Sequence, residues 1–204
     1  MNNEKNIKIF SKWSKLYDIF FGSKIINKQR EKAINLLRLQ ENDRVLLIGI
    51  GTGEDLKFLP KDVKVTGIDI TDEMLEITRN KGENLGINNL EIINMDGQNL
   101  DFTNESFDAI VLNLILAVIP DASKCLREAE RVLKPDGKIV IFDKFLEADK
   151  KVGVFREILN KITTSLGTDI NRRFSEIMKD TNLKITEERE SMLRGMYRII
   201  LLQK

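Results

Sequence analysis

The chain contains no histidine. That absence removes the usual side-chain base near neutral pH, a Cys–His nucleophile pair and any histidine-ligated zinc. Cysteine is nearly absent too. Cys125 stands alone, so an internal disulfide is excluded and a thiolate metal cluster has no ligands. An excess of one charge is also missing: 33 Lys and Arg against 32 Asp and Glu leave a net +1, with no global pull toward nucleic acid. Long apolar runs are lacking as well. A bilayer-spanning helix needs about 20 apolar residues, and the longest candidate, residues 109–120, is shorter and interrupted by Asn113. Lysines are scattered through the first thirty residues instead of leading an apolar block, so no signal-peptide pattern is present. A cytoplasmic protein with no metal and no nucleic-acid partner is expected.

What is present describes a globular domain. The 204 residues are 42% hydrophobic and 32% charged, enough to bury a core. Strand and helix patterns alternate. A helical spacing over residues 25–39, with Ile26, Ala33, Ile34 and Leu37 on one face, precedes an apolar strand at 44–50. Residues 64–70 read as a second strand. Thr71, Asp72 and Glu73 then read as a helix start, with a capping oxygen and early acids that suit the helix dipole. Further strands are read at 89–94, 107–116 and 138–142, and a helix at 121–134 that is stopped by Pro135, Asp136 and Gly137. Helical stretches over 151–166 and near 172–181 follow. Two strand-like runs, 183–190 and 196–202, are expected to close the chain as an antiparallel hairpin at the sheet edge. Apolar strands alternating with helices predict an α/β fold with a parallel sheet covered on both faces. Residues 1–40 are assigned to N-terminal amphipathic or lid helices and 41–204 to the body of a single domain.

The first strand ends in a turn with Gly49, Gly51 and Gly53 at alternate positions. Such glycines let the backbone turn tightly and approach a ligand without Cβ interference. A dinucleotide fingerprint would place its third glycine at position 54, where this chain has Glu54. A phosphate loop would end in Gly-Lys-Ser/Thr, and none is present. The turn is therefore not suited to phosphates. The second strand leads to Asp69, sixteen residues after Gly53. A carboxylate at that tip can accept both hydroxyls of a ribose; the competing reading is a helix cap, for which Thr71 and Asp72 are already available.

The series VLLIGIGTGEDL, VTGIDITDEMLE, NMDGQNLDF, ESFDAIVLN and LREAERVLKPDGKIVIFD resembles the ordered motifs of class I S-adenosylmethionine-dependent methyltransferases over residues 44–143. The resemblance implies a three-layer, Rossmann-like, doubly wound sheet, mostly parallel with a C-terminal antiparallel hairpin. It implies S-adenosylmethionine as cofactor, with Gly49, Gly51, Thr52 and Gly53 lining its methionine and ribose portion. Asp69 would hold the ribose hydroxyls, Ile70 and Met74 would lie against the adenine, Asp96 would accept from the adenine amine and Gly97 would offer a backbone contact. Asn113 would face the methionine part and the substrate. One position departs from the pattern: where the family places an acid two residues before the first glycine, this chain has Leu47.

Methyl transfer from a sulfonium needs proximity and alignment more than a strong base, so it is compatible with the missing histidine. Ile9, Phe10, Trp13, Leu16, Tyr17 and Phe20 recur at helical spacing beside Lys5, Lys8, Lys12 and Lys15, and residues 1–30 carry a local charge of +5. This pattern suits either a lid over the cofactor or peripheral contact of residues 5–21 with an anionic membrane. The chain is similar to bacterial phosphatidylethanolamine N-methyltransferases in YDIFFG and in the segment around Ala117. It shares general motifs with the C-methyltransferases of quinone biosynthesis. The resemblance implies a lipid or small-molecule substrate, methylated on an amine head group or on a quinone carbon. Tyr17 and Asn113 are the catalytic candidates, and Arg172 or Arg173 a contact for substrate phosphate. A silent cofactor-binding regulator is the reading from another class.

Overall fold

The computed structural model describes residues 2–11, 23–146, 157, 160, 163–164, 167–193 and 195–204. Residues 3–11 form helix α1. There follow α2 (Lys24–Leu36), β1 (Arg44–Ile48), a 3-10 turn (Leu56–Phe58), β2 (Lys64–Asp69), α3 (Asp72–Leu85), β3 (Leu90–Asn94) and β4 (Phe107–Asn113). The chain continues through α4 (Ala122–Val132), β5 (Leu133–Lys144), α5 (Phe174–Met178), β6 (Lys184–Met192) and β7 (Tyr197–Gln203).

These strands build a seven-stranded sheet in the order β3-β2-β1-β4-β5-β7-β6. β1 to β5 are mutually parallel, and β7 runs antiparallel to both β5 and β6. The α/β fold with its C-terminal antiparallel hairpin is thus the one expected. Successive strand residues face opposite sides, and both sides are dry. Leu46, Ile48, Ile110 and Leu112 pack toward α4, while Val45, Leu47, Ala109 and Val111 pack toward α2. Ile26, Ala33, Ile34 and Leu37 from α2 and its C-cap enter that second core beside Val140, Phe142 and Ile199. The strand order reverses between β1 and β4, and a crevice opens at such a point, outside the carboxyl ends of the strands.

The structure departs from the sequence reading in three places. β4 stops at Asn113 because Leu114 takes a left-handed conformation (φ 61°) and turns its N–H onto the Phe142 carbonyl at 2.7 Å. The helix expected to run to Lys134 ends at Val132. Leu133, fully buried, already pairs with Phe107 as the first residue of β5. Pro135, Asp136 and Gly137 are therefore not a helix stop; they sit in an irregularity inside β5, with Asp136 at φ 62°. Near the C-terminus only Phe174–Met178 of the expected helical stretch is helical. Of the helix expected over 151–166, residues 157, 160, 163 and 164 are helical and the others lie outside the described residues, as do Lys12, Trp13, Lys15, Leu16, Tyr17 and Phe20. Among the described residues no helix is long and apolar enough to cross a membrane.

Candidate functional site

The three glycines of the turn after β1 all have positive φ, at 71°, 56° and 77° for Gly49, Gly51 and Gly53. Side chains other than glycine rarely adopt that region, so the alternation seen in the sequence is a conformational requirement. The Gly51 N–H donates to Asp69 Oδ2 at 3.0 Å and the Thr71 N–H donates to Asp69 Oδ1 at 3.0 Å. Thr78 of α3 donates to the Gly51 carbonyl at 2.6 Å. One carboxylate thus ties the tip of β2 to the glycine turn and to the start of α3. Asp69, rather than the Thr71 hydroxyl, satisfies a free N–H there, and Thr71 makes no side-chain cap bond. Burial pushes the Asp69 carboxyl up, while the N–H bonds from Thr71 and Gly51 work against that shift.

A cleft opens over this turn, outside the carboxyl ends of β1 and β2. Gly49, Gly51, Asp69, Ile70, Met74, Asp96 and Gly97 all line it, so seven of the ten cofactor-site positions expected from the sequence meet at one cleft. Thr52, Gly53 and Asn113 do not line it. Thr52 is buried, and Gly53 faces α3, where a Cβ would come 3.0 Å from Thr78 Cγ2. The rest of the lining comes from the 114–120 loop, together with Asn3, Asn6 and Phe10 of α1 and Ile48, Thr71 and Met95. The described part of the N-terminal segment therefore borders the cleft, as a lid does.

Asn113 does something the sequence did not suggest. Its Nδ2 donates to Asp55 Oδ1 at 2.8 Å, and Asp55 Oδ2 accepts from Arg30 of α2 at 2.7 Å. All three residues are at most 5% exposed. This cluster sits at the glycine-turn end of the sheet, because Asp55 follows Gly53 by two residues and Asn113 extends β4 as far past Val111 as Gly49 extends β1 past its partner Leu47. Leu47 itself is 1% exposed and packed within the core strand. The chain thus lacks the acid at that position but buries another, Asp55, just before the 3-10 turn and paired with Arg30 of α2. Neither Arg30 nor Asp55 carries a sequence signal, since the contact spans three elements.

The 114–120 loop is held from below. Asp143, fully buried at the end of β5, accepts the Ala117 N–H at 2.9 Å, and burial pushes its carboxyl up. Arg172 donates to the carbonyls of Leu116 at 2.6 Å and Pro120 at 3.0 Å, which ties the guanidinium to this loop. Arg173 lies 3.8 Å from Glu176. Lys144, 7% exposed, places its ammonium 5.8 Å over the Tyr197 ring. Among the described residues no group of three or more His, Cys, Asp or Glu could hold a metal.

Glu54, which follows the turn, forms ion pairs with Lys57 at 2.6 Å and with Lys81 of α3. Burial alone would raise its carboxyl, but the two ammonium groups outweigh burial and hold it at about 2 instead of 4.5. A lowered folded-state value means the ion pairs stabilise the protein fully above 4.5 and are lost as pH falls toward 2. Glu54→Gln is therefore expected to flatten the acid limb of stability. Urea midpoints measured at about pH 6 and about pH 3 should fall less in the variant than in the parent.

Comparison with known proteins agrees with this geometry. A family model described as a methyltransferase domain matches residues 46–141. The chain is 28% identical to a phosphatidylethanolamine N-methyltransferase of Cereibacter sphaeroides over 96% of its own length and 95% of that protein. It is 32% identical to a demethylmenaquinone methyltransferase of Listeria welshimeri over 69% of its own length, spanning 62% of that protein. A geranyl diphosphate C-methyltransferase of Streptomyces coelicolor, solved with S-adenosyl-L-homocysteine, shares the fold at a TM-score of 0.75 and 14% identity, over 86% of this chain and 75% of that one. With the glycine turn, Asp69 and Asp96 brought to one cleft at the carboxyl edge of the sheet, the chain belongs to the class I S-adenosylmethionine-dependent methyltransferases.

Proposed function

We propose that the protein methylates an amine nitrogen on the head group of a phospholipid or of a small molecule. The observation that carries this reading is the similarity to a phosphatidylethanolamine N-methyltransferase along nearly the whole of both chains. The similarity to demethylmenaquinone methyltransferases supports a second reading, methylation of a quinone carbon, over a shorter span.

The cleft suits the cofactor. At Gly49 and Gly51 the backbone is bare of Cβ atoms, two acids project into the cleft, and the turn has no phosphate-loop lysine. When bound, the cofactor supplies an electrophilic methyl group on a sulfonium. Gly49 and Gly51 would allow its methionine and ribose portion to approach the backbone. Asp69 would accept from the ribose hydroxyls with the lone pairs its backbone bonds leave. Ile70 and Met74 would cover the adenine face, with Asp96 accepting from its amine and Gly97 offering a backbone contact. Asn113 would act through Asp55. In the transfer, the acceptor nitrogen forms a bond to the methyl carbon, the carbon–sulfur bond breaks, and the amine proton leaves to solvent or to a carboxylate. The chain's own contribution is alignment and exclusion of water. Tyr17, outside the described residues, remains the ring proposed to enclose the sulfonium or the amine. Contact of residues 5–21 with an anionic membrane is supported by the exposed Lys5, Ile7 and Lys8 of α1.

Calorimetric titration with S-adenosylhomocysteine tests the cofactor site. Asp69→Ala is expected to bind about tenfold or more weakly, the value of charge-assisted hydrogen bonds. Its unfolding midpoint should be read alongside, because the same carboxylate holds two N–H groups. Transfer of a radiolabelled methyl group to phosphatidylethanolamine vesicles, small amines and a reduced naphthoquinone tests the substrate. Label in the quinone alone would replace the amine reading, and saturable binding without transfer to any acceptor would favour a silent binder. Equal sedimentation with anionic vesicles before and after deletion of residues 1–20 would refute membrane contact through that segment.

A further inference from the structure

Three side-chain bonds strap α1 across the cleft. Asn3 Nδ2 donates to Asp96 Oδ2 at 2.7 Å, Asn6 Nδ2 to the Val118 carbonyl at 2.9 Å, and Ser11 Oγ to Glu73 Oε1 at 2.6 Å. The acceptors lie on separate parts of the rim: the turn after β3, the 114–120 loop and the first turn of α3. Asn3, Asn6 and Phe10 themselves line the cleft.

Chemistry fixes how the two amides are turned. An ionised carboxylate and a backbone carbonyl only accept, so Asn3 and Asn6 must each present Nδ2 to them. Both side chains then keep an Oδ1 that is sealed from solvent and has no hydrogen-bond partner. Buried acceptors in native proteins nearly always have a donor, and a stranded one is costly. An acceptor in want of a donor therefore stands beside Asp96.

Asp96 is itself nearly saturated. Its Oδ1 accepts the Gln98 N–H at 2.9 Å, Gln98 Nε2 lies 3.0 Å from both carboxylate oxygens, and Asn3 occupies Oδ2. A carboxylate offers about four acceptor positions, so little capacity is left for a primary amine with two hydrogens. The Oδ1 of Asn3 shares a carbon with the nitrogen that touches Asp96. The two acceptors are thus neighbours, as are the two N–H bonds of one exocyclic amine.

We propose that Asn3 is a cofactor-binding residue, its Oδ1 and the Asp96 carboxylate together accepting the two hydrogens of the adenine amine of S-adenosylmethionine. The inference rests on the cofactor reading above and extends it to the N-terminal helix. α1 is then a wall of the cofactor site, and adenine binding and seating of α1 are one equilibrium.

The test pairs a residue with a functional group of the ligand. Wild type and Asn3→Ala are titrated calorimetrically with S-adenosylhomocysteine and with its analogue whose purine lacks the 6-amino group. Asn3→Ala is expected to weaken S-adenosylhomocysteine by about three- to tenfold, one hydrogen bond's worth, and to leave the deamino analogue unchanged. Hydrogen exchange of residues 3–11 should slow on adding S-adenosylhomocysteine to wild type, and slow less in the variant. Equal weakening of both ligands would make Asn3 a structural strut and overturn the proposal, as would no weakening of either. Wild type that binds neither ligand would instead overturn the cofactor reading, an outcome distinct from a variant that merely loses its selectivity.

Discussion

Replacing Arg30 with methionine is expected to lower the free energy of unfolding by about 3–5 kcal/mol, read from urea midpoints at unchanged slope. Arg30 and Asp55 are each 4% exposed and meet at 2.7 Å. Removing the guanidinium strands a carboxylate in the core, and the desolvation already incurred is no longer offset by a partner charge. Arg30→Met combined with Asp55→Leu is expected to recover most of that loss, because a buried pair exchanged for apolar side chains leaves no lone charge. The recovery should be incomplete, since Asn113 Nδ2 then loses the Asp55 acceptor it holds at 2.8 Å. A single variant as stable as the parent would show that Asp55 has another route to neutralisation. The double variant separates stability from function. It restores the core but removes the buried Arg30–Asp55 ion pair, so a continued deficit in S-adenosylhomocysteine affinity would show that the buried acid serves the cofactor.

The parts of the molecule that were legible in the sequence are those governed by local chemistry. β1, β2 and β4 are short, largely apolar runs rich in β-branched residues and mostly buried, the pattern of a parallel strand covered on both faces. The glycine turn was legible because three alternate glycines have few explanations besides positive φ. Asp69 was legible as an acid at a strand tip and Asp96 through the resemblance in motif order, and both line the cleft. What stayed hidden depends on contacts between distant elements. The helix end at Val132 was misplaced because Pro135, Asp136 and Gly137 look like a stop, whereas burial of Leu133 against the core draws the chain into β5 before them. Asn3, 93 positions from Asp96, looked like any polar residue of an amphipathic helix. Arg172 read as a contact for substrate phosphate, and nothing in the pattern told that its guanidinium holds two loop carbonyls. The sequence pattern reports which face is apolar; it does not report which polar group meets which.

Gly49→Ala and Gly51→Ala should separate two demands that the turn makes on its glycines. At Gly49 a Cβ would lie 2.5 Å from Ile115 Cδ1 and 2.7 Å from its Cγ1, on a backbone at φ +71°. The left-handed conformation costs about 1–2 kcal/mol for a residue with a Cβ, and forcing a methyl into a packed contact about 1–3 kcal/mol. Gly49→Ala is therefore expected to lose about 2–5 kcal/mol of unfolding free energy. Adding Ile115→Ala should recover the steric share but not the conformational one. At Gly51 the φ is +56°, and a Cβ would meet only the Gly49 carbonyl oxygen, at 4.0 Å. Only the conformational penalty applies there, so the stability loss should stay near about 1–2 kcal/mol. The same methyl would, however, stand at a wall of the cleft, where Gly51 lines the space above the turn. Gly51→Ala should accordingly show its larger effect in S-adenosylhomocysteine affinity, and Gly49→Ala in stability. A Gly49→Ala protein with the parent's urea midpoint would remove the steric account of the turn. A Gly51→Ala protein of undiminished affinity would mean that the cofactor does not approach the backbone at that residue.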